Sequence, residues 1–181
     1  GQFRIEFIKT NHSIQDAAAL AIYSPAGIVV HTGDFKVDYT PVFGDAIDLQ
    51  RFGEIGKKGV LALMSDSTNA EKKGFTMSEK TVGRRFDSIF AEHSTKRIII
   101  ATFASNVDRV QQVINSAYKS GRKVVIEGRS MVNTISIAQE LGYISIPDNT
   151  LIDIEQLKNY PDEKTVLITT GSQGESMAAL S

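Results

Sequence analysis

The chain has 181 residues, which is enough for one domain or for one domain and part of a second. Twenty Lys and Arg residues against 21 Asp and Glu give a net charge of -1, so there is no global basic field and any contact with nucleic acid must be local. The absence of cysteine excludes disulfides and thiolate metal sites. Because every apolar run is short and interrupted by charge, we expect a cytoplasmic protein with no membrane contact.

The first part of the chain has the patterns of β-strands. Apolar residues alternate with charged ones over residues 3–7, which predicts a strand with one wet face. Two further apolar runs, 19–23 and 28–31, flank Ser24-Pro25-Ala26-Gly27, a sequence typical of a type I turn. These two runs are predicted to form a hairpin.

A short helix and another strand are predicted next. Leu49, Phe52 and Ile55 recur at helical spacing, and residues 60–64 are apolar enough for a buried strand. The polar segment 65–74 follows, and the sequence pattern changes after it. We therefore place the domain boundary there.

The remainder of the chain alternates strands with helices. Thr76 and Glu79 have the spacing of a capping box at the start of a helix. Continuous apolar strands are predicted at 97–102, 123–127 and 165–170, and helices at 106–120 and 131–141. Gly121 and Gly142 follow these last two helices and suit left-handed caps. This order predicts an α/β domain with a parallel, Rossmann-like sheet and helices on both faces.

The turns from strand to helix in such a sheet lie on one edge, where open α/β folds bind ligands. Here the turns are small and polar, and their hydroxyl, amide and backbone N–H groups suit phosphate oxygens. Ser and Asn are also ordinary helix caps, so three such turns on one edge are stronger evidence than any one alone. The predicted phosphate-binding residues are Ser105, Asn106, Arg129, Ser130, Ser172 and Gln173.

Two of the predicted early strands lead to side chains that can bind a metal. His12 follows the first strand, and Asp34 follows His31 after a Thr-Gly turn. Imidazole and carboxylate are zinc ligands, but a catalytic zinc uses about three protein ligands and the chain has no His-x-His cluster. The alternatives are that His12 is a surface histidine, that Asp34 stabilises a turn and that His31 forms a hydrogen bond within its strand.

Six short motifs, in this order and spacing, resemble bacterial ribonuclease J. They are FIKTNHSI (7–14), HTGDFK (31–36), SDSTNAE (65–71), ATFASN (101–106), GRSM (128–131) and TGSQGE (170–175). The resemblance implies a metallo-β-lactamase fold that carries an inserted β-CASP domain. It assigns residues 1–65 to the C-terminal part of the metallo-β-lactamase half-domain and residues 66–181 to a β-CASP domain that is incomplete at its C-terminus. Members of the family have an upstream His-x-His-x-Asp-His motif and downstream histidines, so this chain is interpreted as an internal piece of a larger enzyme.

The resemblance also implies a function. The parent protein would be a zinc-dependent ribonuclease, a 5′ exonuclease and endonuclease of bacterial RNA decay and maturation, with single-stranded RNA as its substrate. By resemblance, His12 holds one of two zinc ions, Asp34 bridges both, and Asp66 orients a downstream histidine near the leaving group. Oligomers with itself or with a paralogue are expected of the intact protein. Because other ligands are missing, we expect weak or absent zinc binding and negligible activity from this chain alone.

Three other interpretations remain open. The first is a non-catalytic α/β module that binds RNA or phosphate groups through the polar turns. The second is another β-CASP nuclease, of the archaeal or eukaryotic pre-mRNA-processing type, although those tend to have Glu where Asp66 stands. The third, a small-molecule hydrolase of the same fold, fits less well because it would lack the strand-helix repeat after Asp66.

Overall fold

The computed structural model describes residues 1–172. Contacts divide the chain into two compact units, Gly1–Ser78 and Glu79–Ser181. The strands are β1 (Arg4–Lys9), β2 (Ala18–Ser24), β3 (Gly27–His31), β4 (Ala62–Met64), β5 (Ile98–Ala101), β6 (Lys123–Ile126) and β7 (Thr165–Thr169). The helices are α1 (Leu49–Lys57), α2 (Glu79–Glu92), α3 (Val107–Lys119) and α4 (Arg129–Glu140), with 3₁₀ helices at Ile154–Asn159 and Asp162–Lys164. The predicted α/β class is confirmed, while the assignment of 1–65 and 66–181 to two family domains stays a prediction.

The sheet of the first unit is mixed, with the order β1-β2-β3-β4. The predicted hairpin is present, since β2 and β3 are antiparallel with Tyr23 opposite Ile28. Strand β1 is also antiparallel to β2, and β4 is parallel to β3. Strands β1, β3 and β4 therefore all run in the same direction, and their carboxyl ends lie at one edge of the sheet.

One face of this sheet forms the core of the first unit. Ile8, Ala21 and Val30 are buried there together with Ile55 of α1, and Phe52 packs beside them. The helix predicted from the spacing of Leu49, Phe52 and Ile55 is thus confirmed. It begins after Asp48, whose carboxylate accepts a hydrogen bond from the Arg51 N–H at 2.9 Å.

The strand predicted as buried at residues 60–64 is instead exposed. Leu61, Leu63 and Met64 keep more than half of their surface accessible. None of the side chains of β4 belongs to the core of the first unit, which α1 forms with β1, β2 and β3. Apolar composition indicates a tendency to be buried, but it does not say which element provides the cover.

The sheet of the second unit is parallel, with the order β5-β7-β6, as its apolar strands predicted. Its core joins the sheet to α2, α3 and α4 through a set of fully or almost fully buried side chains. They include Phe90, Val110, Val113, Ile114, Val124, Met131, Val166 and Ile168. No helix within residues 1–172 has both the length and the apolar character needed to cross a membrane.

The predicted capping box at Thr76 is wrong. Helix α2 begins at Glu79, three residues later. The Ser78 hydroxyl donates to the Thr40 carbonyl at 2.9 Å, and the Glu79 carboxylate accepts from Arg109 at 2.8 Å. Arg109 thus uses the Glu79 carboxylate that the local pattern assigned to the cap. The two glycines predicted to follow helices, Gly121 and Gly142, do have positive φ angles of 65° and 78°.

Candidate functional site

The first unit brings together three segments that carry predicted site residues. His12 follows β1, Asp34 follows β3 and Asp66 follows β4, so all three come from the same edge of the sheet. Asn11 and Lys36 also form an isolated antiparallel bridge, in which the Lys36 N–H donates to the Asn11 carbonyl at 2.8 Å. That pairing places the backbone segments of His12 and Asp34 side by side.

Asp66 is tied to both neighbouring segments. Its N–H donates to the Thr32 hydroxyl at 2.9 Å, and its carboxylate accepts from the Thr68 N–H at 2.8 Å. The hydrogen bonds from Thr68, followed by the Phe35 N–H and the charge of His12, hold the pKa of Asp66 below its ordinary value. Asp66 therefore stays ionised at neutral pH and lies within the electrostatic range of His12.

Asn11 positions the loop that carries His12, a role that the sequence analysis missed. Its side chain is buried, donates to the Asp45 carbonyl at 2.8 Å and accepts from the Ile47 N–H at 2.7 Å. Both ends of the amide are therefore paired. The only indication in the sequence was an Asn next to the histidine, and its partners are more than 30 residues away in the chain.

A tight turn sets the position of Asp34. Gly33 has a φ of +60°, and a Cβ added there would lie 3.3 Å from the Ala18 carbonyl oxygen, so glycine is needed for both reasons. The His31 Nδ1 accepts from the Gly33 N–H at 3.0 Å, which agrees with its interpretation as a hydrogen-bonding strand residue. Asp34 itself is exposed to solvent.

The donor set of this edge does not fit a complete zinc site. Across residues 1–172, no group of three or more His, Cys, Asp or Glu side chains is gathered closely enough to hold a metal ion. His12 and Asp34 provide one nitrogen donor and one carboxylate, fewer than the roughly three protein ligands of a catalytic zinc. What the edge does provide is one histidine and two carboxylates on neighbouring segments, with Asp34 exposed and His12 and Asp66 half-buried.

In the second unit, the polar turns after β5, β6 and β7 lie on one edge because these strands are parallel. Ser105 is exposed. Asn106 is buried and acts as the N-cap of α3, because its side-chain oxygen accepts from the Arg109 N–H at 3.2 Å. The Thr102 hydroxyl at the end of β5 is buried and has no hydrogen-bond partner within residues 1–172.

The turn after β6 leaves the start of α4 open. Its N-cap is Gly128, with a φ of +99°, so no side chain caps the first backbone N–H groups. Arg129 and Ser130 follow and are exposed, as is Ser172 after β7. Gln173, also predicted to bind phosphate, lies outside the described residues.

A cavity of about 380 Å³ lies beside the end of β6. Apolar side chains such as Ile135 and Leu151 line it, together with the carboxylates of Glu127, Asp153 and Glu155. Because these carboxylates repel phosphate, the cavity is a poorer match to a nucleic-acid backbone than the turn at Arg129.

Many unrelated proteins have an α/β fold with a parallel sheet and polar turns at one edge. Comparison with known sequences narrows the choice of family. The family profile described as "Ribonuclease J, beta-CASP domain" matches residues 95–181. The second half of this chain is therefore similar to the β-CASP domain of ribonuclease J.

The likeness to ribonuclease J extends over nearly the whole chain. The chain is 48% identical to ribonuclease J of Synechocystis sp. over 178 residues, 98% of this chain and 28% of the relative. It is 50% identical to ribonuclease J 1 of Streptococcus pyogenes over 176 residues, 97% of this chain and 31% of the relative. Ribonuclease J2 of Bacillus subtilis is 43% identical over 178 residues, 98% of this chain and 32% of the relative. The chain thus spans between a quarter and a third of these curated relatives.

A solved structure supports the fold. A crystal structure of a protein of unknown function from Enterococcus faecalis V583 aligns with a TM-score of 0.64, covering 96% of this chain and 43% of that one. Its sequence identity is 16%, so the comparison concerns the fold alone.

Proposed function

We propose that this chain is part of a zinc-dependent ribonuclease that hydrolyses RNA phosphodiester bonds, as a 5′ exonuclease and endonuclease in bacterial RNA decay and maturation. The observation that supports the proposal is that the segments carrying His12, Asp34 and Asp66 lie at one edge of the sheet. The likeness to proteins named ribonuclease J supports it. The intact protein would act in the cytoplasm, as a homo-oligomer or together with a paralogue.

Each of the three residues has a role that its position allows. His12 and Asp34 would contribute two of the donors for a pair of zinc ions, and the missing donors would come from parts of the longer protein. Asp66 would act as an acceptor: kept ionised by Thr68, it can hold the N–H of a histidine in place. Alone, this chain would bind zinc weakly or not at all and would not cleave RNA.

The substrate of the proposed enzyme is single-stranded RNA. Its phosphates would meet the turns that carry Ser105, Asn106, Arg129, Ser130 and Ser172, with Gln173 as a further candidate. The uncapped start of α4 and the exposed Arg129 guanidinium are the best arguments, because unpaired N–H groups and a bidentate cation both suit phosphate oxygens. Of the proposed phosphate-binding residues, Asn106 is the weakest candidate, because its side-chain oxygen already caps α3.

A chimera tests the catalytic part of the proposal. This chain would replace the matching segment in one of its ribonuclease J relatives, and cleavage of 5′-labelled RNA would be measured. We expect an active chimera in which His12→Ala, Asp34→Asn or Asp66→Asn each lowers the rate about a hundredfold or more. The control is Lys58→Gln, an exposed residue that follows α1. Full activity of the Asp34 variant would contradict the assignment.

A non-catalytic α/β module that binds RNA or phosphate groups is the second candidate. The open start of α4 favours it, because this feature needs no metal and no part of another protein. Titration of the chain with labelled RNA at several salt concentrations tests this alternative, since phosphate contacts give a steep dependence on salt. An active chimera would favour the enzyme, whereas binding by the chain with an inactive chimera would favour the module.

A further inference from the structure

We propose that a surface on the first unit is a stacking platform for single-stranded RNA. This surface, called the Tyr39–Phe75 platform below, consists of Tyr39, Lys72, Lys73 and Phe75. The inference deepens the proposed function, and rests on it for the identity of the ligand. It adds a contact region that is separate from the polar turns of the second unit.

Both aromatic rings of the platform are largely exposed to solvent. Phe75 is 90% exposed and Tyr39 is 74% exposed. A large apolar ring left almost wholly in water is unfavourable, and exposed aromatic groups often mark a binding surface. Nothing in the core of the first unit requires either ring.

Hydrogen bonds hold the two aromatic segments near each other. The Thr40 hydroxyl lies 3.1 Å from the Ser78 hydroxyl, which also donates to the Thr40 carbonyl at 2.9 Å. Tyr39 is next to Thr40, and Phe75 is three residues before Ser78. Pairing at these positions therefore brings the two rings to the same region of the first unit.

The same region is polar and basic. A cavity of about 420 Å³ is lined by Thr68, Asn69, Lys72, Lys73, Gly74, Phe75 and Thr76. Both lysines are exposed, and neither has a carboxylate partner among residues 1–172. Aromatic rings beside free cations are the combination that binds single-stranded nucleic acid, because bases stack on the rings and phosphates meet the lysines.

The residues of the platform are close in sequence to those of the candidate site. Thr68, at one end of the cavity, donates its N–H to the Asp66 carboxylate. Tyr39 follows Asp34 by five residues, after the segment that pairs with Asn11. A strand of RNA stacked on the platform would therefore extend from the edge that carries Asp34 and Asp66. An acidic protein segment would satisfy the lysines, but it would not use the two rings, so RNA is the better match.

The absence of tryptophan from the chain allows a direct test. In the Phe75→Trp variant, the new indole is the only tryptophan, and its fluorescence reports contact at that position. The probe is an oligouridylate of about ten nucleotides, within the usual length of single-strand sites. We expect saturable quenching in the variant, and about tenfold weaker binding in Phe75→Ala, measured by the anisotropy of a labelled oligouridylate.

A lysine pair provides the matched control. Lys72→Gln with Lys73→Gln should weaken binding and lower the salt slope by about two, whereas Lys57→Gln with Lys58→Gln, another exposed adjacent pair, should change neither. Circular dichroism checks that each variant is folded.

Binding of the oligouridylate without quenching, and without an effect of the Lys72 and Lys73 changes, would overturn the platform and leave the proposed function intact. Quenching by polyglutamate but not by the oligouridylate would overturn the platform in favour of a protein partner. No RNA binding at all would also overturn the platform, whereas the activity of the chimera decides the proposed function separately.

Discussion

Glu6 shows how one side chain joins three elements of the first unit. Its carboxylate, on β1, accepts from Arg51 of α1 at 2.5 Å and from the Tyr23 hydroxyl of β2 at 2.8 Å. The hydrogen bond from Arg51, followed by that from Tyr23, lowers the pKa of Glu6 from 4.5 to about 2. A carboxylate with a lowered pKa stabilises the fold at neutral pH.

Glu6→Gln should therefore lower stability in a pH-dependent way. The contribution of the Glu6 charge is fully present above about pH 4.5, and is lost as the pH falls toward about 2. We expect the urea midpoint of the variant to lie below that of the parent chain at pH 7, and the difference to shrink between these two pH values. Glu71→Gln, at an exposed position, is the control. A constant difference down to pH 2 would contradict the prediction.

Arg122 is a cation that the structure buries. Only 4% of its surface is exposed, and its guanidinium donates to the carbonyls of His93 and Lys96, each at 2.8 Å. It also lies over the Phe90 ring, 5.5 Å from the centroid. Arg122 thus satisfies the Lys96 carbonyl and adds a second donor to the His93 carbonyl, which also accepts from the Lys96 N–H at 3.1 Å.

We expect Arg122→Ala to destabilise the chain by about 2 to 4 kcal/mol, since it removes two buried hydrogen bonds, leaves the Lys96 carbonyl without the guanidinium donor and removes the contact with Phe90. The free energy of unfolding in urea measures the effect. Arg84→Ala, which changes an exposed arginine of α2, should cost less than about 0.5 kcal/mol. Equal effects of the two substitutions would show that the buried hydrogen bonds of Arg122 contribute nothing measurable to the free energy of unfolding.

At the scale of elements, the packing of α2 on α3 depends on a glycine. A Cβ added at Gly83 would lie 2.1 Å from the Gln112 side-chain oxygen, closer than atoms can approach. Gln112 is buried on α3, so its side chain has little room to move away. A Cβ at position 83 would therefore have to displace the buried Gln112 side chain.

A double-mutant cycle tests this contact. Gly83→Ala alone should lower stability by about 1 kcal/mol, because the clash exceeds the gain in helix propensity. In the Gln112→Ala background, the same substitution should instead raise stability by up to about 1 kcal/mol, since the clash is gone and the propensity gain remains. Urea unfolding of the four chains gives the coupling energy. The same effect of Gly83→Ala in both backgrounds would exclude contact with Gln112 as the cause.

At the scale of the whole molecule, metal binding is the property that the chain should lack. The edge with His12 and Asp34 supplies too few donors, and residues 1–172 contain no other cluster of suitable side chains. We expect a purified and dialysed sample to hold much less than one zinc per chain by elemental analysis, and His12→Ala to leave that value unchanged. Stoichiometric zinc that is lost in the His12 variant would contradict the prediction.

Sequence patterns predicted most elements because their causes are local. The strand at β1, the turn between β2 and β3 and the glycines after α3 and α4 depend on a few neighbouring residues, and all were placed correctly. The wet face predicted from the alternation in β1 was wrong, because Ile5 and Phe7 are exposed whereas Glu6 is half-buried. The exposed edge strand β4 and the late start of α2 were not, because distant partners decide both. Likewise, the site residues were named through motifs, but Asn11 acquired its role only through Asp45 and Ile47.

The sequence by itself determined the α/β class, the order of the elements and the likeness to ribonuclease J, since these depend on residue type and spacing. Only the tertiary structure decided that the segments of His12, Asp34 and Asp66 meet, because their approach depends on strand direction and on pairing between residues far apart in the chain. It also decided which apolar side chains stay exposed, Phe75 and Tyr39 among them. Burial depends on the partner that covers a residue, and hydrophobicity alone does not specify that partner.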